Sequence, residues 1–548
     1  MIDLELPLGK RTLKYRLFEM LPAVISYGAF VLLIVLSLVS PLLAAIYLML
    51  IIITMLVKAV GVVFHTITGH NRLIKSQAVN WAERLADFET PVESYELRQH
   101  GQLKAFDARA HVENLRLAAA DPEAFPKPSA VYNLVMVTAY NESYEVIDPT
   151  LQSLVDTTYD SKKIILVLAY EERGGEAIEK TILRLQKKYA NKFFEVLAIK
   201  HPRDIPNEVV GKGGNITYAG KFMADWLKEK GIEYKNVLVT TLDADNRPHP
   251  AYFDYVTYAY VINEDRKHLS YQPIALFLNN IWDVPAPMRV VATGNTFWSI
   301  ITAMRPHMMR NFASHSQPME ALFEMDFWST KTVVEDGHQF WRSYFYFNGK
   351  YAVLPMYIPI YQDAVLDVTF RKTLKAQFIQ LRRWMYGVSD IPYVAVRLFS
   401  SKRNVQFWPG FVWFVRALDG YVTAASISII VAIGGWIPLL INSQAYSNVV
   451  AHQLPDVIST IQQIALVGII IMVFQSFKLL PPRPLRYKRH RTIGMVLQWV
   501  LMPVTAIVYL SFAALNAQAR LFTGRYLTKF DVTTKATVAT VESRRAAK

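Results

Sequence analysis

Two carboxylates one residue apart close a run of β-forming residues, Val237-Leu-Val-Thr-Thr-Leu-Asp243-Ala-Asp245, followed by Asn246-Arg-Pro. On an extended chain, side chains two residues apart point the same way. Asp243 and Asp245 are therefore predicted to share one side of a strand terminus, where oxygen ligands can hold a hard divalent cation against a diphosphate. Taken alone, the triplet is as well explained by a turn or a cap, to which aspartate readily lends itself. Its place at the end of a β-run favours the metal reading.

Further along stands Val334-Glu335-Asp336-Gly337, ahead of the aromatic stretch from His338 to Tyr346. A carboxylate held among bulky rings can have its pKa raised into the range of a general base; helix capping is the equally good alternative. Gln380-Leu-Arg-Arg-Trp384 lies in a helical pattern from Thr373 to Tyr386, closed by Gly387. Spacings of three and four put Gln380, Arg383 and Trp384 on one face. An indole stacks on the apolar face of a sugar ring, and a guanidinium can meet a diphosphate. Gly211-Lys-Gly-Gly-Asn215 would allow close backbone approach to an anion, with Lys212 adding charge. It lacks the Lys-Ser/Thr ending of the ATPase phosphate loop, and taken alone it is better explained by an ordinary turn.

The elements that must position these residues follow from periodicity. Strands are predicted at Tyr132–Thr138, Lys163–Tyr170, Phe193–Lys200 and Asn236–Leu242, separated by helical segments, in the order βαβαβαβ. Asp148 with Pro149 reads as the start of the first helix, and Ala177–Lys188 as the second. A parallel sheet with crossover helices binds ligands beyond the carboxyl ends of its strands. Tyr140-Asn141-Glu142, Glu171-Glu172 and the Asp243/Asp245 pair all fall there.

The ends of the chain are of another kind. Of 548 residues, 52% are hydrophobic, the mean hydropathy is +0.18, and the apolar surplus lies at the termini. Met20 to Val57 carries no charge, which at about 1.5 Å per residue nearly crosses a hydrocarbon core of roughly 30 Å twice. Ser40-Pro41 is the predicted turn of a helical hairpin, and a cleaved signal peptide is disfavoured because a second apolar run follows at once. Gly420 to Leu440, Val457 to Phe477 and Thr492 to Ala519 are also uncharged, for a plain count of five crossings. Lys478, Arg483, Arg486, Lys488, Arg489 and Arg491 crowd one loop, whereas Ile441 to Asp456 holds no Lys or Arg; the first loop is predicted cytoplasmic and the second external. Much of the clustered excess behind the net charge of +14 lies beside the apolar segments, where topology and anionic lipid explain it, so nucleic-acid binding is not expected. With no cysteine, disulfides, thiolate zinc sites and cysteine nucleophiles are excluded.

In order, Thr138-Ala-Tyr-Asn-Glu142, Lys212-Gly-Gly-Asn215, Asp243-Ala-Asp245, Glu335-Asp336 and Gln380-Leu-Arg-Arg-Trp384 resemble the motif set of the membrane-embedded processive family 2 glycosyltransferases, of cellulose synthase and hyaluronan synthase type. The resemblance covers about residues 130 to 390 and implies a Rossmann-like α/β GT-A domain flanked by transmembrane helices, a nucleotide-sugar donor and Mg2+ or Mn2+. It implies Asp243 on the nucleotide side and at the metal, Asp245 as metal ligand, and Asp336 as the base. Thr138, Tyr140, Glu142 and Lys212 would contact the nucleotide, with Gln380 and Arg383 at the diphosphate, and Trp384 and Glu335 at the acceptor. Phe530-Asp-Val-Thr-Thr-Lys535 is similar to a gating loop of the cellulose synthases, making Thr533 and Lys535 nucleotide-binding candidates.

The implied organisation is a hairpin at 1–66, a cytosolic catalytic domain at 67–405, interface and transmembrane helices at 406–519 and a tail at 520–548. The expected activity is inverting hexosyl transfer from a nucleotide sugar, UDP-linked, to a growing polysaccharide, coupled to export, at the plasma or inner membrane. A single addition to a lipid-linked acceptor, a transporter with a nucleotide-binding domain and a structural scaffold are the alternatives. Two departures, Ala169-Tyr-Glu-Glu172 in place of the family's acidic pair and Val334 in place of a threonine, leave the nucleotide base open. Five crossings would put Lys535 on the opposite side from its ligand, so Thr492–Ala519, with Pro503 near its middle, is read as broken or re-entrant.

Overall fold

The computed structural model describes residues 4–101, 104–446 and 449–530. Its centre is one eight-stranded mixed sheet, in the order β3-β2-β1-β4-β7-β6-β8-β5. The strands are β1 (Tyr132–Ala139), β2 (Ile164–Glu171), β3 (Glu195–His201), β4 (Val237–Asp243), β5 (Arg247–Pro248), β6 (Leu269–Leu276), β7 (Ser316–Pro318) and β8 (Ala352–Tyr361). The first four are parallel. β7 pairs antiparallel with β4 and β6, while β6 and β8 run parallel.

Alternation along β1 explains the layers. Leu134 and Met136 pack with Ile216, Ala219 and Met223 of the helix Lys212–Glu229. Val135 and Val137 pack on the other face with Ile147, Leu151 and Leu154 of the helix Tyr144–Val155. β2 is buried at all eight positions, as a parallel strand covered on both faces must be. Every carboxyl end of β1, β2 and β4 consequently opens on the same rim.

The first helix starts a turn earlier than its sequence signal. Ser143 is the cap, and Pro149 lies inside the helix, because burying Val146 and Ile147 against the sheet outweighs the one helical hydrogen bond that proline forgoes. Lys212 is the first residue of its helix, so Gly213, Gly214 and Asn215 form its first turn, whereas the sequence pattern sets the whole segment ahead of the helix. The helix that carries Gln380, Arg383 and Trp384 runs Phe370–Met385, capped by the Thr369 side chain, and Gly387 sits in the following 3-10 turn without ending the helix in a left-handed conformation.

Four helices among the described residues are long and apolar enough to cross a membrane: Leu13–Val39, Pro41–Gln77, Phe407–Ile441 and His490–Thr523. The Val457–Phe477 run lies on a further helix, Val449–Leu479. Leu33, Leu48, Ile52, Ile430, Leu454 and Ile458 join the first, second, third and last named of these in one apolar cluster. Where the two hairpins turn, Asn442 Nδ2 donates to Ser37 O at 2.9 Å and to Leu38 O at 3.3 Å.

The segment His490–Thr523 behaves differently. It is broken by a 3-10 turn at Gln498–Leu501, Pro503 and a π turn at Ala506–Ser511. Its start is tied to the sheet domain by Arg491 Nη2 donating to Trp282 O at 2.7 Å. Just past its end, Leu527 N donates to Tyr386 Oη at 3.2 Å. Arg16, at the base of the first helix, donates to Phe522 O at 2.9 Å.

Leu166 is fully buried at the centre of β2. Leu166→Ala is expected to lower stability by about 2–5 kcal/mol, read by denaturation of the detergent-solubilised protein.

Candidate active site

At the sheet's carboxyl rim lies a cavity of about 880 Å3. Thr138, Tyr140, Glu142, Lys212, Asp243, Asp245, Glu335, Asp336, Gln380, Arg383 and Trp384 all line it. These residues come from five separate stretches of chain. Thr533 and Lys535 lie outside the described residues.

β1 and β4 pair in a register that sets Thr138 beside Asp243, and Thr138 Oγ1 donates to Leu242 O at 3.3 Å. Past β1 the chain turns sharply, and Glu142 accepts from the backbone N–H of Tyr140 at 2.7 Å and of Asn141 at 3.1 Å. The turn also requires glycine behind it, since a Cβ at Gly174 would stand 1.9 Å from Tyr140 O. Glu142 thus builds the turn that presents Tyr140 to the cavity.

The electrostatic centre is Lys212. Its Nζ lies 2.9 Å from Asp243 Oδ1 and 3.4 Å from Asp336 Oδ2, and its side chain is only 8% exposed. Burial alone would lower its pKa, but Asp243 and Asp336 outweigh burial and hold the ammonium well above its usual range. Glu335 and Asp336 open the helix Glu335–Tyr346, where the helix dipole favours negative charge; Val334 is the cap residue, so neither acid serves as one. Glu335 is buried, and that burial together with the neighbouring Asp336 pushes its carboxyl upward from the usual range. The two adjacent acids are therefore unlike: Glu335 tends to keep its proton, while Asp336 faces a fixed cation.

Asp245 is 4% exposed. Its Oδ2 accepts from the backbone N–H of Asp363 at 3.2 Å, and the Asn279 side chain donates to its carbonyl at 3.1 Å. Among the described residues no three His, Asp or Glu side chains converge as a metal site. Asp243 and Asp245 fit a divalent ion only as a partial set, one that diphosphate oxygens would complete, which is how Mg2+ is commonly bound.

Elsewhere on the cavity wall, the Trp384 ring lies 5.9 Å from that of Phe277, and the Arg383 guanidinium stacks 3.7 Å over Phe530. Phe530 N donates to Val210 O at 2.7 Å, so the segment before the undescribed tail reaches the residue next to Gly211 and Lys212. Tyr421, Met472, Trp499, Met502 and Tyr509 complete the wall from the apolar helices.

Sequence reasoning missed three groups. Asp363 follows β8, a strand whose Pro355 and Pro359 hide it from a strand pattern. Asp390 lines the cavity and pairs with buried His338 at 2.7 Å, a contact between two helices that spacing does not reveal. His201, at the end of β3, stands between Glu171 at 3.2 Å and Glu208 at 3.1 Å, with Glu171 on the cavity wall. Burial pulls the His201 imidazole down, but the two carboxylates outweigh it and raise its pKa to about 9.

No family model matches the chain, and no curated protein matches it. Among solved structures it is similar to the mannosyltransferase PcManGT from Pyrobaculum calidifontis in complex with GDP-Man and Mn2+, at 13% identity and a TM-score of 0.39, covering 82% of this chain and all of that one. S. aureus TarS 1-349 is 11% identical, with a TM-score of 0.32 over 72% of this chain and 93% of its own. GalNAc-T7 with UDP, GalNAc and Mn2+ is 8% identical, with a TM-score of 0.29 over 58% of each chain.

A histidine whose pKa is higher in the folded state stabilises the fold fully below its unfolded value of 6.5, and that contribution is lost as pH rises through about 9. His201→Gln is expected to flatten this alkaline fall in stability; an unchanged profile would exclude the protonated bridge.

Proposed function

We propose that the chain is a membrane-embedded glycosyltransferase of GT-A architecture that moves a sugar from a nucleotide donor to an acceptor hydroxyl. The observation that carries this reading is the convergence of Asp243, Asp245, Lys212, Asp336, Arg383 and Trp384 on one cavity whose far wall is apolar helix. Few other chemistries need two carboxylates at a strand end, two cations and an indole in one cleft.

In this reading Asp336 accepts the proton of the acceptor hydroxyl. The acceptor oxygen bonds to the anomeric carbon as the bond from that carbon to the diphosphate oxygen breaks, and the electron pair leaves with the diphosphate. Attack from the face opposite the leaving group inverts the centre. Lys212 and Arg383 supply positive charge where negative charge develops. Glu335, buried beside Asp336 with its carboxyl pushed upward, would hold a proton and donate it in a hydrogen bond to the acceptor. Trp384 stacks on a sugar ring. Mg2+ or Mn2+ held by Asp243 and Asp245 would neutralise the departing diphosphate.

The acceptor is proposed to be a growing polysaccharide. A lipid-linked acceptor is the second reading, favoured by Met472, Trp499 and Met502 on the cavity wall, which would suit an acyl or prenyl chain. Product length on a gel separates the two.

Topology belongs to the same proposal. Four crossings, at Leu13–Val39, Pro41–Gln77, Phe407–Ile441 and Val449–Leu479, with His490–Thr523 lying along the membrane face of the catalytic domain, keep both described ends on the cytoplasmic side. The support is that the hairpin turns meet at Asn442 while both ends of His490–Thr523 contact the sheet domain. The plain count of five is replaced by four on this reading. Because the chain has no cysteine, single cysteines introduced at Gln444 and Arg525 test it: an impermeant maleimide added to intact cells is expected to label the first alone, and labelling of both would refute the four-crossing arrangement.

Purified protein offered a panel of nucleotide sugars is expected to release nucleoside diphosphate. EDTA should abolish release, and Asp336→Asn should lower kcat by about 10²–10⁴-fold. Normal turnover in Asp336→Asn removes it as the base.

A further inference from the structure

The helix that carries Glu335 and Asp336 is gripped by the far N-terminus of the chain. Leu4 and Leu6 are buried in the sheet domain, although the first apolar helix starts only at Leu13. Leu4 O accepts from Tyr393 Oη at 3.1 Å and from Arg342 Nη1 at 3.3 Å. Between them, Glu5 forms an ion pair with Arg342 and accepts from Ser329 Oγ at 2.7 Å.

Both partners of Glu5 bear on the site. Arg342 lies two turns along the helix from Glu335 and Asp336 and is 1% exposed. Its Nη2 also donates to Met325 O at 2.9 Å and Phe327 O at 3.3 Å. Those carbonyls flank Asp326 and Phe327, which have φ of 57° and 60°. Consecutive left-handed residues with side chains persist only where the surroundings over-determine them. Ser329, the other partner, begins the loop that leads into Glu335. A Cβ at Gly213 would stand 2.4 Å from Ser329 O and 3.2 Å from Glu335 Cβ, so this loop rests directly on the first turn of the Lys212 helix. Val209 N donates to Thr330 O at 2.8 Å on its other side.

We infer that residues Leu4–Leu6 are a positioning strap for the reaction, and that Glu5, by holding Arg342 and Ser329 together, sets where Asp336 stands relative to Lys212 and Asp243. Glu5 touches no substrate and acts through the loop and helix it brackets. The chain passes from the strap into the apolar helix Leu13–Val39, whose Glu19 accepts from Tyr526 Oη at 3.0 Å, shortly before Lys529 and Phe530 on the cavity wall.

The kinetic arm of the test rests on the transferase reading; the structural arm does not. In the full-length protein in detergent, Glu5→Gln keeps side-chain size and removes the charge. It is expected to lower kcat by about 10-fold, as small displacements of catalytic groups do, with donor KM unchanged. Amide hydrogen exchange should rise across 325–337 and nowhere else in the sheet domain. Glu5→Asp, which keeps the charge, should recover most of the loss in both measurements. Unchanged exchange across 325–337 overturns the strap, as does unchanged kcat in a variant whose loop exchange has risen. Loss of protection throughout the domain also overturns it, since Glu5 would then support the fold at large. If the wild-type protein transfers no sugar at all, the transferase reading fails, and exchange alone decides the strap.

Discussion

A buried cation must be compensated, and Lys212 is compensated by side chains that no single element could supply. Asp243 comes from the end of β4 and Asp336 from the start of the helix Glu335–Tyr346, each within 3.4 Å of Nζ. Removing an ion from water costs several kcal/mol unless opposite charge and hydrogen bonds replace the solvent. That demand fixes the distance between the strand rim and the helix. The close seat of Ser329 O on Gly213 enforces the same arrangement sterically. With Asp243, Glu335 and Asp336 around one lysine and Asp245 on the same cavity, the cleft carries more acid than that lysine alone needs.

The same arrangement brings the cavity against the apolar helices. The helix Phe370–Met385 brings Gln380, Arg383 and Trp384 to the same cavity as Lys212, and packs against the helix Phe512–Thr523. The segment before it, with Trp499, Met502 and Tyr509, floors the cavity. Apolar helices therefore line part of the cleft as well as packing on one another. Charges set against an apolar wall of this kind interact more strongly than they would in water.

Much of this was readable from residue order. β1 to β4 announced themselves as apolar runs, and their observed bounds lie within one or two residues of expectation because both faces of a parallel strand must be apolar. The acids and the Gln380/Arg383/Trp384 face could be named because their spacing is short-range. The second half of the sheet was not legible. β6 contains Pro273 at a register shift, and β8 contains Pro355 and Pro359, so tertiary pairing overrides local signals that argue against strands. Pro149 misled in the same way: its helix begins at Tyr144 because Val146 and Ile147 are buried. Ion pairs between distant segments, such as Glu5 with Arg342 or His201 with Glu171 and Glu208, leave no trace in spacing at all.

The central claim is that the acids of this cleft are arranged for a diphosphate and an ion together, the protein alone offering too few ligands. Mn2+ binding followed by electron paramagnetic resonance, with and without a nucleoside diphosphate, tests it most directly. The account predicts tight Mn2+ binding only when the diphosphate is present, and its loss in Asp245→Asn. Equally tight binding without nucleotide, or binding that survives in Asp245→Asn, would contradict it.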